Sequence, residues 1–95
     1  MNKTLATVLI ASTLLAGCGA ALGTNAVVHR VGQDDLLKLR AGPGLGYRVI
    51  LGLPDGTELL KRDCVTEVSQ LWCRVSLAKA QNVTGYVSAD YLKSP

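Results

Sequence analysis

Phenylalanine is absent from this chain of 95 residues, tryptophan occurs once and tyrosine three times. A core built without Phe draws on aliphatic side chains, and Tyr47, Trp72, Tyr86 and Tyr91 are all the ring surface there is, for packing or for ligand contact. Histidine is also single. His29 stands beside Arg30 on an expected strand, a pattern that suits a solvent-facing position better than a catalytic base. The carboxylates fall mostly in expected turns, where Asp favours the local backbone geometry, so turn chemistry explains them without a catalytic pair. No Cys-x-x-Cys is present, which removes the usual redox site, and the cysteines with His29 are too few for a metal centre. The excess of positive charge is small as well. The formal net charge is +3, and the Lys and Arg residues are scattered rather than clustered among aromatics, so the chain does not read as a nucleic-acid binder. These absences describe a protein that is not an enzyme and uses no cofactor.

Only one long apolar run exists, and it is at the start. Met1-Asn2-Lys3 supplies a short positive end, followed by an apolar segment from Thr4 to Leu14. About a dozen residues suit the central region of an export signal and are too few to span a bilayer. The run closes on Leu15-Ala16-Gly17-Cys18, which resembles the lipobox of bacterial lipoproteins: a branched apolar residue, two small residues and the cysteine that is acylated. That resemblance implies a signal peptide over 1–17, a lipid on Cys18 and a linker over 18–25. The protein is then expected to be tethered to a membrane rather than to cross it, with two or more acyl chains giving a stable anchor. Gly19, where an inner-membrane lipoprotein of enteric bacteria often has Asp, favours the periplasmic face of the outer membrane by the same resemblance.

Residues 26–95 read as the folded domain. Ala26 to Val31 is β-branched and suits a first strand, turned by Gly32-Gln33-Asp34-Asp35. Leu37-Lys38-Leu39-Arg40 alternates apolar with charged, as a strand with one buried face does, and Gly42-Pro43-Gly44 ends it. An apolar stretch from Tyr47 to Leu53 ends at Pro54-Asp55-Gly56, and a further strand is expected over Thr57 to Val65. A hairpin loop around Thr66 to Gln70 leads to Leu71-Trp72-Cys73-Arg74-Val75-Ser76-Leu77. After a loop from Ala78 to Val83, Thr84 to Ser88 reads as the last strand and Ala89 to Leu92 as a closing turn. No amphipathic helix is needed. The fold class expected is all-β, a small barrel of five to six short antiparallel strands.

In order, Leu39-Arg40-Ala41-Gly42-Pro43, Val49-Ile50, Leu53-Pro54-Asp55-Gly56-Thr57, Trp72-Cys73-Arg74-Val75 and Gly85-Tyr86-Val87-Ser88-Ala89-Asp90-Tyr91-Leu92 resemble the successive motifs of a bacterial SH3-like (SH3b) domain. Tyr86 stands where that family usually has Trp. The resemblance implies an SH3-like barrel and a binding role toward peptidoglycan peptides or envelope proteins, with no separate catalytic domain in the chain.

Cys64 and Cys73 flank the second hairpin, and pairing across it would tie two neighbouring strands near their turn. An exported protein retains such a bond; two free buried thiols are the alternative. Tyr47, Trp72, Tyr86 and Tyr91 are the candidate ligand-contacting residues, with core packing the competing role for Tyr86 and Tyr91. Trp72 alternates with inward-facing Cys73 and Val75, so a surface role or a place over the end of the barrel is expected. The function expected is a lipid-anchored envelope module that binds peptidoglycan or an envelope protein. The rival is a structural or inhibitory lipoprotein acting on a wall hydrolase or lysozyme.

Overall fold

The computed structural model describes residues 23–95, so the export signal and Cys18 lie outside the described residues. Seven strands form one antiparallel sheet: β1 (Thr24–Val28), β2 (Leu37–Arg40), β3 (Val49–Leu53), β4 (Glu58–Glu67), β5 (Gln70–Leu77), β6 (Ala80–Ser88) and β7 (Leu92–Lys93), with a 3₁₀ turn at Ala89–Tyr91. Their spatial order is β3-β2-β6-β5-β4-β1-β7, and the sheet curls on itself as a small SH3-like barrel does. The all-β expectation holds, with one strand more than the five to six expected because Leu92 and Lys93 pair with Val28 and Val27. The sheet also begins earlier than residue 26. Thr24 and Asn25 pair with Lys61 and Leu60, so the end of the expected linker belongs to β1. At its other end β1 stops at Val28, because Arg30 takes a left-handed φ of 67° that a strand does not accommodate.

The core is aliphatic, as the absence of Phe requires. Leu37 and Leu39 point inward from β2 while Lys38 points to solvent, and they meet Val28, Leu53, Leu59, Val75, Val87 and the side chain of Cys73. Each fully buried Leu or Val contributes about 1.5–3 kcal/mol by leaving water. Gly85 sits at the tightest point of this packing. A Cβ there would lie 2.7 Å from the Arg40 carbonyl oxygen and 2.8 Å from Leu39, so β2 and β6 approach closely only because position 85 has no side chain.

Two devices hold the loops. Arg40 Nη1 donates to the carbonyls of Leu45 (3.2 Å) and Tyr47 (3.1 Å), closing the Gly-Pro-Gly loop onto β2. The Tyr47 ring lies against Gly42, where a Cβ would come within 2.4 Å of it. In the second device the Asp55 carboxylate accepts from the backbone N–H groups of Val31 (2.9 Å) and Gly32 (3.0 Å), joining the β1–β2 loop to the turn after β3. These two backbone donors hold the Asp55 carboxyl below its ordinary pKa. A carboxyl that keeps its charge to lower pH when folded stabilises fully above the ordinary carboxylate value, and that contribution is lost as pH falls through the lowered one. Asp55→Asn is therefore expected to melt a few degrees below wild type at pH 7, with the two melting curves converging below about pH 4; a constant gap down to pH 2 would contradict this.

Candidate functional site

A groove of about 610 Å³ lies where three parts of the chain converge: the Gly-Pro-Gly loop, the tip of the β4–β5 hairpin and the 3₁₀ turn after β6. The loop contributes Pro43 and Leu45, the hairpin Glu67 and Val68, β5 Gln70 and Trp72, and the end of the domain Asp90 and Tyr91. No Lys or Arg lines it.

Trp72 belongs to this groove, but not as a freely exposed ring. It is only 6 % exposed, so of the two expectations for it, an open surface ring or a covering position, the open ring is not seen, and Trp72 lines the groove largely buried. The 3₁₀ turn after β6 packs against β5 at this end. Tyr91 is 37 % exposed and shares the groove. The other two candidate rings do not line it. Tyr47 is 51 % exposed on the Gly-Pro-Gly loop with its ring against Gly42, and Tyr86 lies half-buried on β6 opposite Arg40 and Arg74.

The rim comes from residues that reasoning on aromatics overlooked. Leu45 and Val68 are 77 % and 97 % exposed, large apolar side chains on two facing loops. Val68 and Ser69 form the two-residue turn between Glu67 and Gln70, with left-handed φ values of 49° and 62°. Such turns favour Asn-Gly, and a left-handed conformation costs an ordinary residue about 1–2 kcal/mol. A β-branched Val there, 97 % exposed, has almost no packing to offset that cost. The signal in the sequence was an apolar residue inside a turn, and at Leu45 an apolar residue between two glycines.

Polar groups brace the site. Gln70 Nε2 donates to Ser88 Oγ (2.9 Å) and to the carbonyl of Leu71 (3.1 Å), with Asp90 Oδ2 at 3.5 Å, and Ser88 Oγ also accepts from the Asp90 N–H that opens the 3₁₀ turn. Hairpin and closing turn are thereby tied together below the rim. Apolar lips over a ring-lined floor, with amide and carboxylate groups at the side, suit an extended peptide-like ligand. With Glu67 and Asp90 as the charged residues of the lining, a strongly anionic ligand is disfavoured.

His29 takes part in neither this groove nor a cluster of nucleophiles; its backbone N–H donates to the Tyr91 carbonyl (2.9 Å). Cys64 and Cys73, opposite one another in β4 and β5, are joined by a disulfide.

Comparison with curated proteins and with solved structures finds no match. The model of the family described as Bacterial SH3 domain matches residues 35–93, which runs from just before β2 to the end of β7 and takes in every residue of the groove. With the barrel, the loop and the motif order in agreement over more than half of its length, the chain belongs to the bacterial SH3 domain family, whose members are generally binding modules.

Proposed function

We propose that this protein is a lipid-anchored, non-enzymatic module of the bacterial cell envelope that holds a peptidoglycan peptide or an extended segment of an envelope protein in the groove between the Gly-Pro-Gly loop and the β4–β5 tip. The observation that carries this reading is the pair of exposed apolar lips, Leu45 and Val68, over a floor containing Trp72 and Tyr91. Exposed apolar side chains rimming a concave site are what a binding surface offers and a monomer's stability does not require. The lipobox-like Leu15-Ala16-Gly17-Cys18 supports attachment through acylated Cys18, and Gly19 supports the periplasmic face of the outer membrane. The rival, a structural or inhibitory lipoprotein that occludes a wall hydrolase or lysozyme, uses the same groove on a protein surface.

Sedimentation with purified peptidoglycan tests the reading. Wild type is expected to be retained, and Leu45→Asp or Val68→Asp to reduce retention at least tenfold without lowering the melting temperature, since both side chains are solvent-exposed. Val68→Asn relieves about 1 kcal/mol of left-handed strain and is expected to raise Tm by about 4–8 °C while weakening retention. Absence of wild-type retention, together with inhibition of lysozyme or a wall hydrolase by the intact chain, would select the rival.

A further inference from the structure

The groove does not end at Leu45 and Tyr91. A second concavity of about 270 Å³ adjoins it there, and Leu45, Ser88 and Tyr91 line both. The two differ in charge. Glu67 and Asp90 are the charged residues of the groove, whereas the second concavity is lined by Arg30, Lys38 and Arg40, with Asp35 as its one carboxylate.

Two elements bring these cations together. Lys38 and Arg40 alternate with the inward-facing Leu37 and Leu39, so β2 carries both on its other side. Arg30 follows β1, and the N–H of its neighbour His29 donates to the Tyr91 carbonyl (2.9 Å), which holds the chain at Arg30 beside the closing turn. The charged groups are not equally engaged. Arg40 Nη1 already donates to the Leu45 and Tyr47 carbonyls, and Asp35 Oδ1 accepts from the Leu36 N–H (2.8 Å). Arg30 and Lys38 are exposed, and among the described residues their side chains make neither an ion pair nor a hydrogen bond.

Position distinguishes this pair from cations on a merely solvated face. They stand at the end of an apolar, ring-lined groove whose own lining contains no cation. A ligand that lies in the groove and passes Leu45 and Tyr91 brings its end to them. A carboxylate at that end meets two cations, whereas a ligand anionic along its length would also meet Glu67 and Asp90. Of the two ligand classes proposed above, a peptidoglycan peptide is the one that ends in a free carboxylate; an internal segment of a protein has none on its backbone.

We propose that Arg30 and Lys38 form a carboxylate subsite at the end of the groove, where a free carboxylate of a peptidoglycan peptide is held. This rests on the groove being the peptide site, and adds which chemical group of the peptide lies at which end.

Carbodiimide coupling with ammonia converts wall carboxylates to amides, so sedimentation of the full chain with native and with amidated peptidoglycan tests the subsite. Retention of wild type is expected to be about three- to tenfold weaker on the amidated wall, the range for two exposed charge pairs. Arg30→Gln with Lys38→Gln should fall to that level on native wall and change little on amidation, because both treatments remove the same contact. Both side chains are exposed, so its melting temperature should match wild type. Lys79→Gln removes a positive charge from another turn and is expected to bind as wild type does. Competition by the peptide Ala-Lys-D-Ala as free acid and as C-terminal amide identifies the source of the carboxylate. Stronger competition by the acid places the terminal carboxylate at the subsite; equal competition, with amidated wall still poorly bound, places a side-chain carboxylate there. Equal retention of wild type on native and amidated wall would overturn the subsite and leave the groove as the peptide site. A full response of the double variant to amidation, or an equal loss in Lys79→Gln, would also overturn it. No retention of wild type on either wall would overturn the peptidoglycan reading and the subsite together.

Discussion

Trp72→Ala is expected to destabilise the domain by about 3–5 kcal/mol, the range for emptying a buried large aromatic position. For a domain of this size that corresponds to a fall in Tm of roughly 12–40 °C. The expectation follows from burial: Trp72 is 6 % exposed and lines the groove shared with the hairpin tip and the closing turn. Small domains hold only about 5–15 kcal/mol in total, often at the lower end, so the variant approaches unfolding at ordinary temperatures. Loss of ligand binding by Trp72→Ala would thus say nothing about contact, whereas Leu45→Asp and Val68→Asp report on the groove with the fold intact. Trp72→Phe retains a ring and is expected to lose distinctly less. Circular dichroism melting of the three proteins checks the order. A Trp72→Ala variant melting within 3 °C of wild type would show that the ring is not part of the packed structure. As the single tryptophan of the chain, Trp72 also gives the unsubstituted protein a fluorescence signal located in the groove.

The barrel was legible because several local signals agreed. Leu37 and Leu39 alternate with charged residues, Gly42-Pro43-Gly44 and Pro54-Asp55-Gly56 end strands, and the successive motifs fall in family order, so local pattern and global fold point the same way. The strand β6 was read too short, because Ala80 to Val83 carries no alternation strong enough to show that the hairpin with β5 turns at Ala78 and Lys79. The groove was half legible. Counting aromatics found Trp72 and Tyr91, but which rings converge depends on how loops from distant parts of the chain meet at β5, and that excluded Tyr47 and Tyr86. Leu45 and Val68 were missed for a different reason. Turn chemistry is recognised by Gly, Asn and Asp, and a strained Val at a hairpin tip is invisible to that rule.

Removing the Cys64–Cys73 link is expected to lower Tm by about 10–20 °C. The two residues are nine apart, and closing a loop of that length in the unfolded chain contributes about 2.5 kcal/mol in the chain-entropy account. Reduced wild type loses only this contribution, whereas Cys64→Ala with Cys73→Ala also loses the core packing of Cys73, a residue that is 1 % exposed, so the double variant should melt lowest. Melting with and without reductant separates the two effects, and reduced and oxidised forms melting within 2 °C of each other would contradict the assignment. The geometry behind the pair has two parts. Direct pairing of 64 with 73 centres the hairpin between residues 68 and 69, which forces the two-residue Val68–Ser69 turn. Farther down, Lys61 opposes Val75, a register one residue different, and the mismatch is absorbed where Arg62 and Asp63 both stand opposite Arg74. Asp63 there holds Arg74 in an exposed ion pair at 2.9 Å, while Arg62 reaches Ser76 Oγ at 3.2 Å. The bulge lets β4 keep Leu59 inward at one end and Cys64 opposite Cys73 at the other. Beyond the link lies the left-handed turn, whose cost of about 1–2 kcal/mol per ordinary residue is comparable to what the closed loop contributes. The disulfide therefore offsets the strain that keeps Val68 at the lip of the groove.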